Sequence, residues 1–208
     1  MIRASFGNSR QVAVCGVRPR AGFLTWRELA LVASAGVASA AIGQLLGRPL
    51  HLAWPVPASG SIIAALPRTI ILLAVLLGVK RFGALTTAGV AEVGAKLAFG
   101  GAVMWPMALV APLVGNLAGD VLWYFLRRLP ARRIRLMLTG AALCATRVLV
   151  ALLFWSLIMP ALSKASENMG SLLVCIVAIN IALGAIAGFL VGRSNRAPKP
   201  AVVNDERN

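Results

Sequence analysis

Five ionisable residues interrupt otherwise apolar stretches of this chain: Arg68, Glu92, Lys96, Asp120 and Arg147. An ionised side chain at the centre of a bilayer costs a few kcal/mol or more, so such groups should face the protein interior and meet partners there. Three of them are basic and two are acidic, which leaves one positive charge unmatched. This surplus suits a ligand with a carboxylate, a phosphate or another electron-rich group, although loss of the lysine proton would remove it without any ligand.

The spacing of the polar residues groups them on helix faces. Glu92 and Lys96 are four residues apart, as are Asn116 and Asp120, so each pair shares one face of a helix. With alternating helix directions, one residue from each of five helices comes out near mid-depth: Arg68, Glu92, Asn116, Arg147 and Asn180. The pattern therefore predicts one polar layer inside a helical bundle.

This polar layer has two interpretations. In the first, Arg68 bridges Glu92 and Arg147 bridges Asp120, and the charges only hold the helices in register. In the second, which we favour, the layer binds a ligand that enters beneath an outer loop at 51–61, because this loop, with its two prolines and a tryptophan, opens beside the layer. The predicted substrate-binding residues are Glu92, Lys96, Asn116, Arg147, Asn180, Trp54 and Trp105, with Arg68 and Asp120 as structural charges.

Trp54 and Trp105 also have two interpretations, since both fall on the outer side of the predicted bundle. They could stack on a flat ligand, or they could anchor the protein at the membrane interface, where tryptophan is enriched. Catalytic patterns are missing from the sequence. Its single histidine, His51, has no partner at metal-ligand spacing, and no glycine-rich phosphate loop or GxSxG motif occurs. We therefore expect no catalytic residue, no metal, no cofactor and no ATP hydrolysis by this chain itself.

The elements that must position these residues are membrane helices. The chain has 208 residues, of which 59% are hydrophobic and 13% charged, and its mean hydropathy of +0.84 is that of an integral membrane protein. The predicted fold class is an all-α integral membrane protein with six transmembrane helices and both termini cytoplasmic. The predicted spans are 28–47, 58–79, 84–102, 104–126, 134–159 and 170–192, with a tight hairpin between the third and fourth.

The distribution of basic residues sets the predicted orientation. Of 21 Lys and Arg residues, 16 fall in four segments on one side of a six-span topology, and only Arg48 and Lys164 fall on the other. Because basic loops resist translocation, the first side should be cytoplasmic, in a bacterial or archaeal inner membrane. We interpret the net charge of +15 as topology and contact with anionic lipids rather than nucleic acid. The predicted organisation is a basic leader (1–24), a transmembrane domain (25–192) and a cytoplasmic tail (193–208).

Two features of the predicted spans remain open from sequence. Pro67 near the middle of the second span indicates either a kinked helix or an irregular segment at 54–66 that dips inward from the outer face. Small residues recur every four positions, which lets helix backbones approach closely. In the first span they form two stripes, Ala30, Ser34 and Ala38 on one face and Ala35, Ser39, Gly43 and Gly47 on another; the sixth span carries Gly184, Gly188 and Gly192.

Four short motifs add a family resemblance. They are Thr25-Trp26-Arg27-Glu28-Leu29, Leu66-Pro67-Arg68, Lys80-Arg81-Phe82-Gly83-Ala84 and Ala91-Glu92-Val93-Gly94. These motifs, the length of the chain and the six predicted spans together indicate a family. Residues 25–192 resemble a substrate-binding S component of an energy-coupling factor (ECF) vitamin transporter, nearest to the subgroup for thiamine precursors.

The resemblance implies a membrane subunit that captures a micronutrient from outside and docks on a transmembrane coupling subunit driven by two ATPases. In that family, alanines four apart on the first helix meet the coupling subunit. The matching positions here are Ala30, Ser34 and Ala38, with a serine in the middle. The family's ligand sites differ between vitamins, so no binding residue is carried over.

Two other functions compete with this one. A stand-alone secondary transporter would use Glu92 or Asp120 as its proton carrier. A membrane scaffold or assembly subunit would use the intramembrane charges structurally and its small-residue faces for docking on a larger complex.

Overall fold

A computed structural model of the chain describes residues 24–47, 49, 53, 59–99, 106–158 and 170–194. Within these ranges the chain forms six helices and no strand. Each helix corresponds to one of the predicted apolar stretches, which confirms the all-helical fold class. The helices are α1 (Trp26–Ile42), which passes into a π-helical segment (Gly43–Gly47), α2 (Ser59–Val79), α3 (Ala84–Ala98), α4 (Pro106–Leu126), α5 (Arg132–Ile158) and α6 (Gly170–Ser194).

Five of these helices are long and apolar enough to cross a membrane. The exception is α3, which has 15 residues and is therefore about 22 Å long, short of the ~30 Å hydrocarbon core. The chain is thus a multi-pass membrane protein by its helices, while the sixth span stays a prediction. The five candidate spans are Trp26–Gly47, Gly60–Val79, Leu109–Leu126, Arg132–Phe154 and Gly170–Ser194.

Successive helices run in opposite directions, so that alternate helix ends meet. Arg81 Nε lies 3.1 Å from Glu28 Oε2 and joins the turn after α2 to the start of α1. The rings of Phe82 and Tyr124 meet edge to face at 5.8 Å, which brings the same turn to the end of α4. Nine of the twelve described Lys and Arg residues lie at this end, hereafter the basic end: Arg27, Lys80, Arg81, Arg127, Arg128, Arg132, Arg133, Arg135 and Arg193.

Helix α2 is central, because it packs against α1, α3, α5 and α6. Its buried leucines form the middle of the apolar core together with residues of α3 and α5. The largest buried side chains of this core are Leu72, Leu73, Leu76, Leu85, Leu136 and Leu143. The same central position carries Arg68 into the interior of the bundle.

The helix α2 continues through Pro67 without a break. An irregular inward-dipping path is therefore wrong for residues 59–66, which are helical. The rest of that prediction, 54–58, lies outside the described residues, as do Trp54, Trp105, His51, Arg48 and Lys164.

Glycines set the close approach of α5 and α6. A Cβ on Gly184 would overlap the backbone carbonyl of Gly140, and a Cβ on Gly188 would overlap that of Leu136. The glycine stripe of α6 is therefore used for packing inside the bundle, as small residues at membrane helix crossings commonly are.

The two small-residue stripes of α1 differ in burial. Ala35 and Ser39 are buried, and neighbouring Gly36 lies so close to α3 that a Cβ would overlap the Ala88 carbonyl. The other stripe, formed by Ala30, Ser34 and Ala38, faces outward, with the first two exposed and the third half-buried. One stripe thus packs α1 onto α3, and the other is left on the surface of the described chain.

Candidate functional site

Glu92 is the centre of the polar interior. Its side chain is fully buried in α3 and receives three cationic groups. Arg68 Nη2 contacts Oε1, Lys96 Nζ lies 3.0 Å from the same oxygen, and Arg147 Nη2 lies 2.8 Å from Oε2. We call Glu92, its three cations and the two polar residues described next, Ser39 and Asn116, the Glu92 cluster.

Each cation reaches the carboxylate from a different place in the fold. Lys96 stands one helical turn beyond Glu92 on α3, as their spacing of four predicts. Arg68 comes from α2, and its Nε donates to Ser39 Oγ at 3.2 Å. Ser39 Oγ in turn donates to Glu92 Oε2 at 3.0 Å, which brings α1 into the site.

The third cation, Arg147, links α5 to α4. Its Nη2 donates to Asn116 Oδ1 at 2.7 Å as well as to Glu92. Gly115 makes room for this arrangement, since a Cβ there would overlap Arg147 Cγ. In the same way, a Cβ on Gly43 would lie 3.2 Å from the guanidinium of Arg68. Gly115 is therefore needed where Arg147 crosses α4, whereas Gly43 gives the end of the Arg68 side chain a tight but open place beside α1.

The charge of the cluster is more uneven than the sequence suggested. Three cations surround one carboxylate. The side chain of Arg68 is only 15% exposed, and those of Lys96 and Arg147 are each 12% exposed. Asp120, which reduces the surplus to one in the sequence count, lies elsewhere. The local excess is therefore two positive charges, and burial away from water makes such an excess costly unless a counter-charge is supplied.

Two donors of the cluster lack a hydrogen-bond acceptor among the described residues. They are Asn116 Nδ2 and Arg147 Nε, both without solvent contact. A buried donor without an acceptor costs about 1–3 kcal/mol, so native proteins seldom bury a donor without a hydrogen-bond partner. An acceptor-rich group beside Arg147 would satisfy both needs of the site, for negative charge and for hydrogen-bond acceptors.

Asp120 has a structural role at the amino end of α3. Its carboxylate accepts hydrogen bonds from the backbone N–H of Leu85 at 3.2 Å, and from the N–H and Oγ1 of Thr86, both at 2.7 Å. The cap residue itself is Gly83, in the left-handed region at φ 89°, and it offers no side chain. The alternative that pairs Arg147 with Asp120 is therefore wrong, because each group has a different partner.

Removal of this cap gives a test of the role of Asp120. We expect Asp120→Ala to lower the free energy of unfolding by about 1–2 kcal/mol, because two backbone amides at the start of α3 and the Thr86 hydroxyl lose their acceptor. Asp120→Asn keeps one carbonyl acceptor and should lose less. Thermal unfolding in detergent micelles measures both, with Val121→Ala on the outer face of α4 as control. An Asp120→Ala midpoint equal to that of the control would contradict the capping role.

Asn180 lies outside the Glu92 cluster. Its Nδ2 donates to the Ile176 carbonyl at 2.9 Å, and its Oδ1 accepts from Ser61 Oγ at 3.2 Å. It therefore fastens α6 to the start of α2. The structure brings four residues of the predicted layer together with Lys96: Arg68, Glu92, Asn116 and Arg147. The fifth contribution was expected from Asn180 of α6, but it comes from Ser39 of α1.

Ser39 was missed as a site residue by the sequence reasoning. The available signal was its membership of the stripe with Ala35, Gly43 and Gly47, which turns out to be the inward one. A hydroxyl on an inward small-residue stripe is a candidate to contact buried charges.

The outward stripe of α1 is the predicted partner-docking surface. Ala30 and Ser34 are exposed there, beside large exposed apolar residues. Trp26 is 82% exposed and Leu45 is 73% exposed, so the face is apolar along its length. Such a face suits either lipid or a partner helix, and its small residues would allow a partner backbone to approach closely.

Comparison of the chain with known protein families, with curated proteins and with solved structures finds no match.

Proposed function

We propose that this protein is the membrane-embedded substrate-binding subunit of an uptake system for a vitamin or a related micronutrient, driven by ATPase partners. The observation that carries the proposal is the Glu92 cluster, with three buried cations on one carboxylate and two unsatisfied donors. A structural ion pair needs one cation for each carboxylate, whereas a site for an anionic solute needs a surplus of cations.

The proposed ligand carries a carboxylate, a phosphate or another electron-rich group. Its oxygens accept from Arg147 Nε and Asn116 Nδ2 and share the surrounding cations with Glu92. Glu92 holds the three cations at one point before the ligand arrives, which lowers the cost of ordering long side chains on binding. Trp54, Trp105 and Asn180 remain predicted contacts for the rest of the ligand.

The proposal includes a topology and a set of partners. In it, α3 is a sixth, short span, both termini are cytoplasmic, and the basic end faces the cytoplasm of a bacterium or archaeon. The outward stripe at Ala30, Ser34 and Ala38 meets a transmembrane coupling subunit, and two ATPases bound to that subunit supply the energy.

Ligand binding by the isolated chain tests the proposal. A thermal-shift screen of the purified protein against vitamins and their precursors should find one ligand that raises the unfolding midpoint, because a ligand that binds only the folded state stabilises it. We expect Lys96→Gln to weaken binding of that ligand by about 10-fold or more, as loss of one charged hydrogen bond predicts. Arg193→Gln, at the exposed end of α6, is the matched control and should bind as the wild type does.

Two outcomes would contradict the proposal. One is a screen in which no vitamin or precursor raises the midpoint. The other is an equal loss of affinity in Lys96→Gln and Arg193→Gln, since that would place the ligand outside the Glu92 cluster.

A scaffold subunit of a larger membrane complex is the second candidate, and one observation favours it. Both carboxylate oxygens of Glu92 already have protein partners, as expected for charges that only hold helices together. Purification from the native membrane in mild detergent separates the candidates. A coupling subunit and two ATPases should accompany the protein if it is an uptake subunit, and an unrelated complex should accompany it if it is a scaffold.

A stand-alone proton-coupled transporter, with Glu92 as carrier, would instead accumulate substrate in proteoliposomes under a pH gradient alone.

A further inference from the structure

A pocket lies at the basic end, where the carboxyl ends of α2 and α4 meet the amino end of α5. Four of its lining residues are basic and none is acidic. The residues that matter for its chemistry are Lys80, Trp123, Tyr124, Arg127, Arg132 and Arg135. This pocket is separate from the Glu92 cluster and shares no residue with it.

Two aromatic rings hold two of these cations in place. The Arg127 guanidinium lies 4.0 Å from the centre of the Tyr124 ring, and that of Arg135 lies 5.3 Å from the Trp123 ring. Stacking of this kind attracts a cation while leaving its N–H groups free to donate in the ring plane. The pocket therefore presents arginine donors in a fixed arrangement rather than on freely moving side chains.

One donor in the pocket lacks an acceptor. Arg135 Nη1 donates to the Arg127 carbonyl at 3.4 Å, whereas Arg135 Nε is buried and has no hydrogen-bond partner among the described residues. The amino end of α5 begins at Arg132 and adds the partial positive charge of its free amides. Both features point to an anion with several acceptor oxygens, and a phosphate has them.

The surroundings of the pocket distinguish a lipid from a free phosphate ion. Three candidate membrane spans end at or near it, which puts it at the depth of the lipid headgroups. Large apolar side chains beside it face outward, with Phe82 55%, Phe125 70% and Ile134 51% exposed. A soluble ion would make no use of these side chains, whereas acyl chains would lie along them.

We propose that this pocket binds the phosphate headgroup of one anionic phospholipid, whose acyl chains lie on the outward apolar residues of α4 and α5. The lipid places a negative charge among the four cations and links the ends of α2, α4 and α5. This role does not depend on whether the protein transports a solute.

Native mass spectrometry of the full-length protein with added phosphatidylglycerol tests the proposal. The wild type should retain one phosphatidylglycerol on transfer from detergent, in preference to phosphatidylcholine. Arg127→Gln/Arg132→Gln should bind phosphatidylglycerol roughly 30-fold more weakly, because each basic residue near an anionic headgroup contributes attraction. Arg27→Gln/Arg128→Gln removes the same charge from exposed positions of the basic end outside the pocket, and it should bind as the wild type does.

Three results would overturn the proposal. Equal weakening in both double variants would mean that the net charge of the basic end, and not the pocket, attracts the lipid. Displacement of the lipid by inorganic phosphate at millimolar concentration would make the ligand a free anion. Equal retention of phosphatidylcholine would leave the headgroup charge without a role. A thermal unfolding midpoint measured for each variant in the same detergent separates loss of the lipid from loss of the fold.

Discussion

Replacing Glu92 with glutamine should unfold this protein or prevent its accumulation in the membrane. The change removes the single negative charge that Arg68, Lys96 and Arg147 share and leaves three cations buried without a counter-ion. Breaking a buried ion pair by removing one partner costs about 3–5 kcal/mol, and a protein is stable by only ~5–15 kcal/mol in total. Fluorescence-detected gel filtration after heating, in detergent, measures the loss as a fall in the unfolding midpoint.

A matched substitution and a compensating one make this test specific. Glu28→Gln removes a carboxylate from the basic end, where Glu28 pairs with Arg81 and is 26% exposed, so solvent screens the pair and the midpoint should change far less. Glu92→Gln/Arg68→Gln removes one of the stranded cations and should recover part of the lost stability. Equal midpoints for Glu92→Gln and Glu28→Gln would show that the cluster does not depend on its carboxylate.

The second large effect is expected from a single methyl group at the crossing of α5 and α6. A Cβ on Gly188 would overlap the carbonyl of Leu136 and the amide of Met137, which are backbone atoms and cannot move aside as a side chain could. We expect Gly188→Ala to lower the free energy of unfolding by about 1–3 kcal/mol or more, because the two helices must separate. Thermal unfolding in detergent measures the change.

Gly94 provides the control for this substitution. It lies on an outward part of α3, and a Cβ there would meet nothing within 4 Å. Gly94→Ala should therefore raise the free energy of unfolding by about 0.5–1 kcal/mol, since alanine is the better helix former. The same chemical change thus has opposite signs at the two sites. A stabilising Gly188→Ala would mean that α5 and α6 are not in contact at this glycine.

The helices were predictable from the sequence, whereas only some of the contacts between polar side chains were. Apolar length and polar boundaries are local properties, so each of the six predicted stretches corresponds to a helix in the described part of the chain. The pair Glu92 and Lys96 was also predictable, because its geometry depends only on a spacing of four along one helix. That Asn180 bonds Ser61 and the Ile176 carbonyl instead of joining the Glu92 cluster was not predictable, since depth along a helix says nothing about which neighbour a side chain faces.

The hydrogen-bond partners of Asp120 were likewise not predictable from the sequence. Its charge suggested an ion pair with Arg147, but it caps α3 at Leu85 and Thr86. A sequence pattern detects a cap supplied by the residues just before a helix, and this one comes from another helix far along the chain. Gly83, a cap residue with no side chain, was the local sign that another acceptor was required.

The order of residues alone was sufficient for an all-helical membrane protein with basic segments gathered at one end and a few charges among its apolar helices. Only packing decided which of those charges meet. Three cations converge on Glu92, and Asp120 is left to cap a helix, because the rotation of each helix about its axis is set by contacts between distant segments, such as the glycines that let α1 approach α3 and α5 approach α6. The local excess of two positive charges is a property of that packing.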